Sequence, residues 1–383
     1  MTQQPSSQPD ATTRRYPLSF TQQYFHSLDE GDLKGAFGNR FTIVSGLRIA
    51  GHVDIPTLQG ALDDVVQRHE LLRTVVVRDA EPPYQRVYPP CRVPLDIQDW
   101  PANDRPRDLV AEELFVEAEK GSMKAREVPV IRAAFTRFDD FDSVLMLVVH
   151  HSASDAWSQV VVLRDLAAFY HARANQHPVD LPPVKQYRDY AEWQKASAAD
   201  TSDARRYWRE KLRGSHVLAL PNDRPRPEVY SRPFSGYNYV VGVDEMAAVP
   251  RFALQARSSM FMVVLAAFSV FSYEITGRAD PAIRAFTTGR DEPAFQDTMG
   301  LFLNVVPFQT DISRCASFRE IVAGTRDTCI DAYAHEVPIS VIEQDLPDFN
   351  APHDDPKRSQ LILGMYQSTP GDEAKLPIAD GAY

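Results

Sequence analysis

His150-His151-Ser152-Ala153-Ser154-Asp155 closes the apolar run Ser143–Val149 and precedes a helix-like segment beginning near Trp157. An apolar run ending in two histidines reads as a strand whose last side chains leave a packed scaffold. An imidazole there can stay neutral near pH 7 and take a proton from an incoming nucleophile. Neighbouring strand residues point to opposite sides. His150 is therefore the candidate for a structural role and His151 for a chemical one. Asp155 has three readings. It caps the next helix through free backbone N–H groups, it pairs with a buried arginine from the other half of the chain, or it acts as a general acid or base. A metal reading of His151 and Asp155 lacks a third ligand of suitable type nearby.

Outward from this stretch, Ile131–Phe138 and Ser143–Val149 flank the acidic turn Asp139-Asp140-Phe141-Asp142, which predicts a hairpin. Trp157–Ala174 predicts a helix burying Val160, Val161, Leu163, Leu166, Ala167 and Tyr170. Upstream, Asp54 and Pro56 mark a helix start, and a stripe from Leu58 to Leu72 carries it through Arg73. Thr74–Val77 follows as a strand, then a proline-bearing stretch from Pro82 to Pro106, then a helix over Arg107–Lys120.

Downstream, Gln186–Ala196 and Asp203–Leu212 predict shorter helices. Leu220–Pro233, with four prolines, is the candidate connection between two halves. The second half predicts strands at Gly236–Val243, Ala282–Thr288, Leu303–Thr310 and Gln360–Tyr366. Its helices fall at Glu245–Ala256, Ser259–Ile275, Phe318–Tyr333 and Ile339–Asp345. Both halves mix helices and strands, an α+β class.

At 383 residues the chain exceeds one ordinary core. The expected division is a disordered tail over 1–15, a first subdomain over 16–180, connecting helices and linker over 181–235, and a second subdomain over 236–383. A net charge of −11 argues against a nucleic-acid binder. A local basic run, Arg205, Arg206, Arg209, Lys211 and Arg213, reads as a solvated helix face or as a docking patch for an acidic partner. The three cysteines form no Cys-x-x-Cys pair and imply no disulfide framework, which fits a cytoplasmic protein. Met260–Ile275 is short for a membrane span and carries Ser269 and Ser272, so a buried helix is expected.

No Gly-x-Gly-x-x-Gly, Gly-Lys-Ser/Thr or Gly-x-Ser-x-Gly signature occurs. That leaves no obvious covalent nucleophile, and direct transfer within a ternary complex is the simpler mechanism.

Six separated motifs then stand in order: Leu18-Ser19-Phe20-Thr21-Gln22-Gln23, Arg68-His69-Glu70-Leu71-Leu72-Arg73-Thr74, the His150–Asp155 stretch, Tyr187-Arg188-Asp189-Tyr190-Ala191-Glu192-Trp193-Gln194, Gly300-Leu301-Phe302-Leu303-Asn304 and His335-Glu336-Val337-Pro338. With them the chain resembles the condensation domains of nonribosomal peptide synthetases, in the chloramphenicol-acetyltransferase-like superfamily, over nearly its whole length from Tyr16.

The resemblance implies two acetyltransferase-like subdomains in a V with a central tunnel. It implies amide formation between a carrier-bound acyl or aminoacyl thioester and an amine. The partners would be carrier proteins presenting a 4'-phosphopantetheine arm as part of the substrate, with no permanently bound cofactor or metal. His151 matches the catalytic position. His150, Asp155, Ala156, Trp157, Arg290 and Asn304 would support the site, with Arg290 pairing with Asp155 across the halves. Three alternatives stand beside this: ester formation with a hydroxyl acceptor, non-catalytic recruitment of carriers or tailoring enzymes, and a coenzyme-A-dependent acyltransferase.

Two departures from the family pattern carry expectations. Ala156 replaces the motif glycine, so its methyl is expected to narrow the space beside His151 or to restrict the backbone. The chain also stops at Tyr383, soon after its last predicted strand, which suggests a shortened second half.

Overall fold

The computed structural model describes residues 14–101, 105–197, 201–227, 241–242, 246–290 and 292–365. They form two compact units. One holds the described residues up to Ser197 together with Arg290–Phe302. The other holds those of Ala198–Gly289 and Leu303–Gln367. The division at Ser197 falls inside the 181–235 segment expected to connect the halves. The return of Arg290–Phe302 to the first unit differs from the expected division, because that segment lies well inside the second half of the sequence.

The first unit is built on a four-stranded sheet. Its strands are β2 (Thr42–Ala50), β5 (Leu95–Asp99), β6 (Ile131–Asp139) and β7 (Asp142–His150); the unit also holds a short strand β1 (Arg15–Tyr16) and the β3 (Thr74–Val77)–β4 (Tyr84–Val87) pair. The order in the large sheet is β2-β7-β6-β5, and β1-β4-β3 form a second, smaller sheet. Arg15, expected in the tail, therefore pairs within a sheet, opposite Arg86.

The predicted hairpin forms, with Asp139 opposite Asp142. Its turn is tightened by the Phe141 N–H donating to Asp139 Oδ1 at 2.8 Å. β7 runs between β2 and β6 and is buried along nearly all its length. A strand covered on both faces reads as a continuous apolar run rather than an alternation. β2 pairs with β7 from Thr42↔His150 to Ala50↔Asp142. Sequence reading misses β2, since Ser45 and Gly46 interrupt its apolar pattern.

The helices of this unit are α1 (Phe20–Ser27), α2 (Ile55–Arg68), α3 (Arg107–Lys120), α4 (Ala156–Ala174) and α5 (Tyr187–Ser197). Asp54 caps α2 by accepting the Thr57 N–H at 2.9 Å. α2 stops at Arg68, short of the expected Arg73, because His69 turns extended and Glu70–Arg73 forms a 3-10 turn. Leu58, Leu62, Val65 and Val66 of α2 pack with Val162, Leu166 and Tyr170 of α4 and with Leu145, Leu147 and Val149 of β7 in one core. Val160, expected to be buried, is 61% exposed, whereas its neighbour Val161 is buried. Phe295, Met299 and Phe302 join the same core.

The second unit begins with α6 (Ser202–Lys211) and β8 (Ala219–Pro221). It continues through α7 (Ala248–Gln255), α8 (Met260–Thr276), β9 (Ala282–Thr287), β10 (Asn304–Gln309), α9 (Phe318–Ala334), α10 (Ile339–Asp345), β11 (Arg358–Gln360) and β12 (Ile362–Leu363). Its strands form the sheet β10-β9-β12 and the pair β11-β8. The single strand expected over Gln360–Tyr366 is thus two short ones, with Tyr366 outside the described residues. The strand expected at Gly236–Val243 lies almost entirely outside them as well.

α8 is capped by Ser259 and ends on Gly277 at φ +70°, a left-handed position that favours glycine. Its Val263 and Ala266 pack with Ala253 and Val322. No single helix among the described residues is long and apolar enough to cross a membrane; α7 and α8 pass that test only together, bent by 99°. In the basic run on α6, Arg205 pairs with Asp345 and Arg206 with Asp203.

Candidate active site

The end of β7 sets both histidines. The His150 N–H donates to the Val130 carbonyl at 3.0 Å, and the His151 N–H to the Phe41 carbonyl at 2.8 Å. The chain then turns through the 3-10 segment His151–Ala153 into α4.

His150 is fully enclosed. The Ser152 N–H donates to its Nδ1 at 3.1 Å, so Nδ1 is an acceptor. Nε2 lies 3.2 Å from the Gly38 carbonyl, which only accepts, so the proton sits on Nε2. Burial pushes the pKa of His150 down to about 4. Both ring nitrogens are committed within the protein.

His151 has the opposite tautomer. Its Nδ1 lies 2.9 Å from the Ser154 carbonyl and must donate to it. Nε2 is then left with a lone pair, and no hydrogen bond engages it among the described residues. The ring lies flat against Phe41, with centroids 4.7 Å apart and planes at 16°, and meets Phe25 edge-on at 6.3 Å. Burial lowers its pKa, while hydrogen bonds to the His151 and Ser154 carbonyls and the Asp155 charge act the other way. A neutral imidazole with a bare Nε2 is the form a proton acceptor needs.

Asp155 does not reach the imidazole with a hydrogen bond. It is 2% exposed and caps α4, accepting the Ser158 N–H and Oγ–H at 2.8 Å each. Its Oδ2 accepts the Phe302 N–H at 3.1 Å. Arg290 Nη2 lies 3.2 Å from Oδ1 and 3.0 Å from Ser158 Oγ. Arg290 Nη1 donates to the carbonyls of Phe295 at 3.0 Å and Thr298 at 2.8 Å, and the guanidinium sits 3.8 Å from the centre of the Phe302 ring. Two of the three readings of Asp155, cap and arginine partner, thus hold together. The partner, however, belongs to the same compact unit rather than to the other half.

Ala156 is the first residue of α4 and is exposed. Its backbone is helical, and it is absent from the positive-φ residues. The expected backbone restriction therefore does not arise. Trp157 keeps its ring half-exposed and donates Nε1–H to the Gln296 carbonyl at 2.9 Å. Asn304 belongs to the second unit. Its Nδ2 donates to Glu336 Oε1 and the Val337 carbonyl, both at 2.9 Å, and its Oδ1 accepts the Ile339 N–H at 3.2 Å. It anchors the start of α10, so its amide serves the His335–Pro338 motif.

Ser158 and Asp165 of α4, which the sequence does not single out, tie residues of the other motifs into the first unit's site. Ser158 Oγ accepts the Gly300 N–H at 2.9 Å. Tyr187 donates to the Leu301 carbonyl at 2.6 Å and lies 2.7 Å from Ser19 Oγ. A Cβ on Gly300 would stand 2.1 Å from Tyr187 Cδ2, so only glycine fits. Arg68 and His69 both bind Asp165 Oδ2 of α4, at 2.7 and 2.8 Å, and Arg188 binds Glu70 at 2.6 Å. Three of the other motifs therefore brace α4 and the Arg290–Phe302 segment rather than the imidazole. Only their spacing in sequence hints at this, and it names no contacts. Among the described residues no group of three or more His, Cys, Asp or Glu side chains is placed to hold a metal ion.

Comparison with known proteins agrees with this architecture. A family model for the condensation domain matches residues 12–361. One component of the linear gramicidin synthase of Brevibacillus parabrevis is 33% identical over 350 residues, 88% of this chain and 7% of that protein. The chain spans only 6% and 4% of two further components of the same synthase. The crystal structure of SgcC5 from Streptomyces globisporus, in complex with (R)-(-)-1-(2-naphthyl)-1,2-ethanediol and sucrose, matches 92% of this chain and 82% of its own, with 33% identity and a TM-score of 0.82. The X-domain from teicoplanin biosynthesis matches 94% of this chain and 78% of its own, with 25% identity and a TM-score of 0.76.

Proposed function

Because the chain belongs to the condensation-domain family of nonribosomal peptide synthetases, with its chloramphenicol-acetyltransferase-like fold, we propose that it forms an amide between a carrier-bound acyl thioester and an amine. The observation that carries this reading is the bare Nε2 of His151, held as a lone pair by the Nδ1–H bond to Ser154. The amine nitrogen attacks the thioester carbonyl, the C–N bond forms and the C–S bond breaks. His151 Nε2 takes the proton from the amine and returns it to the departing thiolate. Thioester aminolysis is downhill, so the work left to the protein is alignment and management of one proton. The partners in this proposal are carrier proteins bearing a phosphopantetheine arm.

A second reading has one observation in its favour. SgcC5 was crystallised with a 1,2-diol, which supports a hydroxyl acceptor and an ester product. The catalytic step would be the same, with the proton leaving oxygen rather than nitrogen.

The test is single-turnover condensation with loaded carrier proteins and each acceptor type, read by product mass. His151→Ala is expected to lower the rate by about 10²–10⁴-fold. An unchanged rate removes His151 from the chemistry. Carrier binding without product across several substrate pairs would replace catalysis by recruitment, and turnover from a coenzyme A thioester without a carrier would replace the carrier reading.

A further inference from the structure

The tautomer of His151 depends on one backbone carbonyl, and a buried amide holds the residue that carries it. Gln159, in the second turn of α4, is 7% exposed. Its Nε2 donates to Ser154 Oγ, and its Oε1 accepts Ser45 Oγ–H from β2 at 2.5 Å. Ser154 is fully buried. Its Oγ–H passes on to the Asp155 carbonyl at 3.3 Å, while its own carbonyl receives His151 Nδ1–H at 2.9 Å. Each hydroxyl in this chain donates once, and the Gln159 amide donates and accepts in fitting directions. The line runs from the sheet, through one glutamine, to the carbonyl that decides which imidazole nitrogen is bare.

From this chain of hydrogen bonds we infer that Gln159 is a positioning residue for His151, acting through Ser154. The inference rests on the proposed role of His151, but its first readout does not. An apolar side chain of similar size would leave the Ser45 and Ser154 hydroxyls without their amide partner, and that of Ser154 lies in a buried place, where unmet hydrogen bonds are costly. Ser154 could then rotate or shift, and Nδ1–H would lose its fixed acceptor. Phe41 and Phe25 would still hold the ring plane, but not its protonation pattern. No other side chain among the described residues hydrogen-bonds the Ser154 hydroxyl.

The experiment is nitrogen-15 NMR of histidine-labelled protein, with the His151 signal assigned by its loss in His151→Gln. Wild type is expected to show the Nδ1–H tautomer, and Gln159→Leu a mixture of tautomers. In single turnover, Gln159→Leu is expected to lose about ten- to a hundredfold in rate, with acceptor KM little changed. Gln159→Glu keeps the acceptor for Ser45 and can take the Ser154 hydroxyl proton in place of donating to that oxygen, so it should recover most of the tautomer. Its added negative charge should move the acid limb of the pH–rate profile upward. Ser45→Ala, at a partly exposed position on β2, should shift the tautomer in the same direction by less, and it serves if Gln159→Leu does not fold. Wild-type tautomer in both Gln159→Leu and Ser45→Ala overturns the inference. A tautomer shift in a protein that makes no product would retain it and reject only the proposed reaction.

Discussion

The imidazole of His151 rests face to face on the ring of Phe41, 4.7 Å between centroids, and the Phe41 carbonyl takes the N–H of the same histidine. One residue therefore fixes both the backbone and the ring plane of the proposed base. The stack shuts water from one face of the imidazole, which disfavours its charged form.

The acid limb of the single-turnover pH profile is accordingly expected below the ordinary histidine value of about 6.5. The direction follows from burial, which lowers the pKa of His151. Phe41→Ala exposes the ring and should move the limb upward, toward the ordinary value. A limb that stays in place in Phe41→Ala would mean the stack does not set the titration.

Stability should fall as pH drops through the window between 6.5 and about 4. Below 6.5 the unfolded chain protonates His150, whereas the folded protein refuses the proton until about pH 4. Stability is full above the window and lost within it, by about 3 kcal/mol at the bottom for this one group. Urea unfolding of wild type and His150→Asn at pH 7 and pH 4.5 measures it. The variant should be less stable at pH 7 and show a smaller loss on acidification. Equal losses in the two proteins would assign the effect to other groups.

Removing Arg290 leaves the Asp155 carboxylate buried without its charge partner. Arg290→Ala is expected to cost about 3–5 kcal/mol, as broken buried pairs do. Arg290→Lys should recover little, because one ammonium cannot reach Asp155, Ser158 and the Phe295 and Thr298 carbonyls at once. A double-mutant cycle with Asp155→Asn reads the coupling. Additive effects of the two changes would show that the pair is not a unit.

Gly300→Ala should destabilise the fold by about 1–3 kcal/mol through forced displacement of Tyr187. Tyr187→Leu shortens the opposing side chain, at the cost of the bonds to Ser19 and Leu301. In the Tyr187→Leu background the added cost of Gly300→Ala should shrink, as thermal unfolding will show. The same cost in both backgrounds would place the clash elsewhere.

Ala156→Gly should leave the condensation rate within about twofold and weaken α4 slightly, by about 0.5–1 kcal/mol. The residue is exposed and already helical, so glycine has no special conformation to supply. A severalfold gain in rate would show that the methyl obstructs the reactants.

Much of this is readable along the chain. The apolar run before His150, the acidic turn and the α4 periodicity are local patterns, and local patterns set strands, hairpins and helices. Arg107–Lys120 and Ile339–Asp345 come out with the ends their sequences predict. The motifs place His151 at the centre because residue type and strand end suffice for that. β2 is hidden, since its place beside β7 depends on partners far away in sequence. Val160 is misplaced because the apolar stripe of α4 runs wider than the face it buries.

What the sequence determined by itself was the class of the fold, the family, and which imidazole to examine. Tertiary structure decided the rest. It brought Arg290–Phe302 back to the first unit, gave Asp155 to Arg290 and Ser158 rather than to the imidazole, and turned Asn304 toward Glu336 and Ile339. It also chose the protonated nitrogen of each histidine. The reason is physical: a hydrogen bond needs its partner within about 3 Å, and the partners of these groups lie up to 147 residues away along the chain.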